Sequence, residues 1–136
     1  MDRRPSLIPI VAAALIDADG RVLVQKRPEG KPLAGLWEFP GGKIEADESP
    51  EAALVRELDE ELGIQVAMRD LTPLTFATEA QGDRTLVLLL YLVRTWTGTP
   101  MAHIAEALRW CTPDALGALP MPPADAPFVT RLKEIL

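Results

Sequence analysis

Residues 41–64 read GGKIEADESPEAALVRELDEELGI, and the organisation of the chain follows from this stretch. Ser49 stands where a helix N-cap is favoured, Pro50 fits the first helical position, and Glu51 places an anion in the first turn. Gly63 supplies the C-terminal stop, so the spacing predicts a helix from Pro50 to Leu62. On a wheel of about 100° per residue with Glu57 as origin, Glu61 falls near ~40° and Glu60 near ~−60°. Three carboxylates therefore share one arc, and Leu54, Val55, Leu58 and Leu62 form an apolar stripe beside it. Asp59 falls away from both and reads as solvated. Acid pairs at i,i+3 and i,i+4 cost a few tenths of a kcal/mol each, and Arg56 is the only cation in this helix. A solvated charged face is one reading. The other is a site for a hard divalent cation such as Mg²⁺, which takes a few carboxylates and bridges to phosphates.

Upstream, residues 7–16 (LIPIVAAALI) and 21–26 (RVLVQK) read as two strands joined at Asp17-Ala18-Asp19-Gly20, a hairpin pattern. The first run is too short to cross a bilayer, and with Arg3 and Arg4 ahead of it only faintly imitates a signal peptide. The turn that follows it at once favours a buried strand. Residues 27–36 hold two Pro and two Gly and read as a loop. Trp37-Glu38-Phe39 is short and alternating, and Pro40-Gly41-Gly42 breaks it. Downstream, residues 71–78 and 85–95 read as strands around a Gln81-Gly82-Asp83 turn. Residues 108–111 suit one more strand, Thr112-Pro113 a helix start, and residues 128–136 a final amphipathic helix. The order strands, helix, strands, helix favours an α+β or α/β/α sandwich over a regularly alternating βαβ fold.

A chain of 136 residues is one domain by size, residues 1–136, and 48% hydrophobic content is enough for a real core. The net charge of −6 repels nucleic acid polymers over most of the surface. A nucleotide-sized polyanion needs a local cation or a bridging metal to bind. A single Cys111 excludes an internal disulfide and the single His103 a His-rich zinc site, both in keeping with a reducing cytoplasm. A Walker A loop is excluded because Trp37 stands where its first Gly belongs and Ile44 follows Lys43. His103, Ser6 and Ser49 lack a nucleophile-elbow context, and Asp17, Asp19 and Gly20 lack EF-hand spacing. Trp96 and Trp110 read as core or edge cover, and Cys111 as a buried, inert thiol.

Gly42, Glu48, Arg56, Glu57, Leu58, Glu60, Glu61, Gly63 and Ile64 fill every fixed position of the pattern G-x5-E-x7-R-E-U-x-E-E-x-G-U, where U is a bulky aliphatic residue. This resembles the Nudix box. The flanking residues 35–43 (GLWEFPGGK) and 122–125 (PPAD) look like the MutT branch of that family. The resemblance implies an α/β/α sandwich with a mixed sheet between helices, an α+β fold. It also implies Mg²⁺-dependent hydrolysis, with Mn²⁺ as a substitute ion, of a nucleoside triphosphate to monophosphate and pyrophosphate. By similarity Glu60, Glu61 and the Gly41 carbonyl hold the metal, and Glu57 binds a further metal or acts as the base. Arg56 orients a helix carboxylate, Glu48 braces the loop–helix junction, and Gly42 and Gly63 are structural. Relatives in this branch carry a further metal-binding Glu where this chain has Ile104. Glu106, two residues on, either replaces it through a loop shift or is a surface residue.

The same resemblance places Arg27, Phe39 and Asp125 near the nucleobase. Guanine presents N7 and O6 as acceptors, whereas 8-oxoguanine carries a donor at N7. A carboxylate at Asp125 accepts from that proton and repels undamaged guanine; it can equally accept from the cytosine amine. An 8-oxo-dGTP diphosphatase in nucleotide-pool sanitation is therefore the first expectation, and a CTP or dCTP pyrophosphohydrolase the alternative. A catalytically silent nucleotide-binding module is the remote third reading, which the complete set of acids disfavours. The expected partner is the nucleotide, with neither nucleic acid polymer nor membrane; oligomeric state is not legible in the sequence.

Overall fold

The computed structural model describes residues 6–136; Arg3 and Arg4, with their faint signal-like pattern, lie outside them. Seven strands run in order β1 (Ser6–Leu15), β2 (Val22–Lys26), β3 (Trp37–Glu38), β4 (Gly41–Lys43), β5 (Leu71–Gln81), β6 (Arg84–Val93) and β7 (Ala107–Cys111). Helix α1 spans Pro50–Leu62, α2 Pro113–Leu116 and α3 Ala126–Ile135. Single 3-10 turns at Met68–Asp70 and Pro123–Asp125 were not legible in the residue pattern.

The strands form two sheets. One is mixed, in the order β4-β1-β6-β5, with β1 parallel to β6 and the other pairs antiparallel. The second, β3-β2-β7, is antiparallel. The alternation along β1 explains its unbroken apolar run, because both faces are covered. Val11, Ala13 and Leu15 pack with Leu54, Leu58 and Leu62 of α1, while Ala12, Ala14 and Ile16 pack with Phe128 and Leu132 of α3. The result is the expected α+β sandwich, helices on either side of a mixed sheet.

The hairpin expected between residues 7–16 and 21–26 does not form. β1 and β2 belong to different sheets and share only the bridge Ile16–Val22. Both edges of β1 are taken, by β4 and β6, so β2 diverges and finds β3 and β7 instead. The turn itself exists. Asp17 accepts from the amides of Asp19 and Arg21, and Gly20 takes the left-handed φ of 76° that such a turn requires. Trp96 and Trp110 stack at 6.1 Å as cover for the core, and Cys111 is buried. Among the described residues no helix is long and apolar enough to cross a membrane.

Candidate active site

Helix α1 forms where the sequence says it should. Ser49 Oγ accepts from the Ala52 amide at 3.1 Å, and Gly63 closes the helix at φ 69° with its amide on the Asp59 carbonyl. The segment after β6 returns to this end, where Met101 and His103 amides donate to the Leu62 and Glu61 carbonyls. Two otherwise orphaned helix carbonyls are thereby satisfied, and the last turn is held firm under Glu60 and Glu61.

Arg56 organises the acids. Its Nε and Nη2 grip both oxygens of Glu48 at 2.8 and 2.9 Å, and Nη2 also reaches the Lys43 carbonyl at 3.1 Å. Its Nη1 donates to Glu57 at 3.0 Å and to Glu60 at 3.3 Å. One guanidinium thus ties strand β4 and the loop before α1 to two acids of the helix. It also offsets part of the repulsion that the acid spacing implied. The hydrogen bonds from Arg56, helped by the Glu45 amide, hold Glu48 down at about 2. The Glu48 bonds in turn raise Arg56 further above its ordinary value.

Glu61 points the other way, toward β2 and the Gly41 loop. Its Oε2 accepts from the Gly41 amide at 2.8 Å and its Oε1 from Gln25 Nε2 at 3.3 Å. Burial and the charge of Glu57 push the Glu61 carboxyl up to about 8, against the pull of those two donors. Burial also raises Glu57 despite Arg56. Gly42 is needed for close approach, because a Cβ there would lie 2.5 Å from the Glu57 carboxyl carbon. At Gly41 a Cβ would run into the Val11 carbonyl.

A cavity of about 530 Å³ extends from Glu61, Gly41 and Gly42 to Arg27, Phe39 and Asp125. The chain therefore brings Glu61 and the three expected base-end residues into one space, whereas Arg56, Glu57 and Glu60 do not line it. Phe39 is at once cavity wall and core, edge-on to Phe128 with centroids 6.0 Å apart. Arg27 is held by Glu38 at 2.8 Å and by the Pro32 carbonyl at 3.1 Å. Asp125 is buried at the start of α3, and burial with the charges of Glu38 and Glu79 pushes it up to about 7, partly offset by Arg27. Glu106 is not brought to this space. Its carboxylate sits 4.0 Å from Lys26 Nζ, whereas Ile104 lines the cavity.

Four contributors escaped the sequence reading. Glu38 and Glu79 reach the cavity from β3 and β5, Lys31 from the loop, and Gln25 reaches Glu61 from β2. Only Gln25 left a signal, as the polar residue that directly follows the buried apolar run Val22-Leu23-Val24.

Residues 7–132 match the family model of the NUDIX domain. The chain is 44% identical over 119 residues to a CTP pyrophosphohydrolase of Escherichia coli, covering 88% of this chain and 87% of that protein. It is 36% identical over 132 residues to an 8-oxo-dGTP diphosphatase of Haemophilus influenzae, covering 97% and 94%. A solved MutT, from work on the Aliivibrio salmonicida and Vibrio cholerae proteins, superposes with a TM-score of 0.83 at 32% identity, covering 96% of this chain and all of that one. With the box complete, the fold matched and the family model spanning nearly the whole length, this chain belongs to the NUDIX family, in its MutT branch.

Proposed function

We propose that this protein hydrolyses nucleoside triphosphates to the monophosphate and pyrophosphate with the help of Mg²⁺, and that 8-oxo-dGTP is its substrate. The observation that carries this reading is the single cavity joining Glu61 and the Gly41–Gly42 backbone to a buried carboxyl at Asp125. The donor set suits a divalent cation, which Nudix hydrolases generally use. Glu57 and Glu60 share the Arg56 guanidinium, Glu61 lies one helical turn on at the Gly41 amide, and burial pushes the Glu57 and Glu61 carboxyls up, the state that a cation relieves. Glu60, Glu61 and the Gly41 carbonyl would hold the ion, with Glu57 beside them as the ligand of a further ion or as the base. When bound, it neutralises phosphate charge and lowers the pKa of a nearby water.

The rest falls to the chain's own residues. Arg56 fixes Glu57 in one orientation, so that this carboxylate can take the proton of an attacking water. Gly42 leaves room for that carboxylate beside the phosphate-facing strand. Lys31 and Lys43 line the cavity and offer cations to the triphosphate. Phe39 supplies an apolar wall for the base.

Asp125, with its carboxyl raised to about 7, holds its proton in part near neutral pH. A neutral carboxyl donates once and accepts once. That pair matches O6 and N7–H of 8-oxoguanine and leaves undamaged guanine, with two adjacent acceptors, one bond short. Cytosine, with its N4 amine beside the N3 acceptor, also matches. The second reading, a CTP or dCTP pyrophosphohydrolase, is favoured by the Escherichia coli relative of that name. Comparing kcat/KM on 8-oxo-dGTP, dGTP, dCTP and CTP decides between them. A tenfold advantage for dCTP would replace the first reading by the second. Pyrophosphate release from none of the four would return the chain to a silent nucleotide-binding module.

A further inference from the structure

Gln25 stands out among buried polar side chains. It is 3% exposed on β2, behind Val22, Leu23 and Val24, which are fully buried. Its Nε2 donates to Glu61 Oε1 at 3.3 Å, while its Oε1 is buried with no hydrogen-bond partner. An unpaired buried carbonyl is costly, and an apolar residue of similar size would serve the strand better. The core thus carries a penalty that packing does not explain. What the residue does accomplish is visible at Glu61. With the Gly41 amide on one oxygen and the Gln25 amide on the other, both carboxylate oxygens are fixed from two different strands.

We propose that Gln25 is a positioning residue. It orients Glu61 toward the cation, and its free carbonyl accepts a hydrogen bond from a water that enters with the loaded site. This rests on the metal-dependent reading of the preceding subsection. The carbonyl belongs to the same planar amide as the nitrogen that holds Glu61, so any water it binds lies next to that carboxylate. Outer partners of metal-bound carboxylates commonly set the affinity of the ion in this way.

The test uses Gln25→Met, which keeps the volume and removes both hydrogen-bonding functions, with Gln25→Leu as a second variant should Met impair folding. Mn²⁺ binding without nucleotide is read by calorimetry or electron paramagnetic resonance, and kcat and KM are read on the best of the four nucleotides. Mn²⁺ affinity and kcat are expected to fall by about tenfold or more, with the nucleotide KM within twofold. The melting temperature should shift little, since the loss of an unpaired carbonyl is offset by the loss of the donor to Glu61. In a Glu61→Gln background the same substitution should change Mn²⁺ affinity by less than twofold, because Gln25 acts through that carboxylate. Unchanged Mn²⁺ affinity in both Gln25 variants, or a loss of full size in the Glu61→Gln background, would overturn the proposal. Should the wild type hydrolyse no nucleotide, the proposed function falls, while the Mn²⁺ comparison still decides what Gln25 does.

Discussion

Two residues make the local chemistry open to direct measurement. Asp125 in an unfolded chain titrates near 3.8, whereas in the fold burial, aided by Glu38 and Glu79, carries it to about 7. Between those values the native state keeps a proton that the unfolded state has released. Its contribution to stability therefore falls as pH rises through that window and is lowest above it. Asp125→Asn removes the ionisation, so its melting temperature should gain on the wild type by several degrees more at pH 8 than at pH 5. A difference independent of pH would show that Asp125 is not held in this way. Gly42 makes the complementary case for space. Gly42→Ala sets a methyl against the Glu57 carboxyl, which Arg56 prevents from swinging freely away. Because displacements of about 1 Å near the chemistry can cost ~10²-fold, kcat should drop by that order while circular dichroism stays native.

The element that matters most is α1 with the loop that enters it. Ser49, Pro50 and Gly63 set where it begins and ends, and Leu54, Leu58 and Leu62 fix its rotation by burying one stripe. Rotation then decides that Glu57 and Glu61 face the mixed sheet's edge while Asp59 turns to solvent and pairs with Gln65. Arg56→Lys keeps the charge but cannot reproduce a two-nitrogen grip on Glu48 together with contacts to Glu57 and Glu60. It should lower kcat by ~10-fold or more and lower the melting temperature, both from loosening of the loop–helix junction. At the far end, Gly63→Ala meets a left-handed φ of 69° and would bring a methyl to 2.6 Å from His103 Cε1. Its expected cost is about 1 kcal/mol or more by denaturant titration. Full stability in that variant would mean the cap and its strap are not coupled.

Across the whole molecule, burial raises the carboxyls of Glu57, Glu61 and Asp125, so the free protein carries a local electrostatic cost. A divalent ion should therefore act as a stabiliser of the fold as well as a cofactor. Mg²⁺ at tenfold over its dissociation constant is expected to add about 1.4 kcal/mol, seen as a rise in melting temperature. The rise should vanish in a Glu57→Gln, Glu60→Gln double variant, and chelation should abolish hydrolysis in the wild type. A shift of equal size in the double variant would place the ion elsewhere. At this scale the two sheets also matter. β1 carries α1 on one face and α3 on the other, and through them brings Glu61 and Asp125 to one cavity.

The chain's own order of residues determined the helix limits, the acid arc, the glycine approach and the family, because each depends on spacing within a short segment. β1 was legible as a buried strand for the same reason, an unbroken apolar run. Its partner was not. Strand pairing is settled by competition for edges between segments far apart in sequence, and β4 and β6 occupy both edges of β1, leaving none for β2. The same distance effect hid Glu38, Glu79 and Gln25. Nothing beside Gln25 in the sequence announces Glu61, 36 residues away, and only folding brings that amide to the carboxylate. The charge state of Asp125, likewise, is set by desolvation and by neighbours from other strands, quantities that exist only once the chain has closed around it.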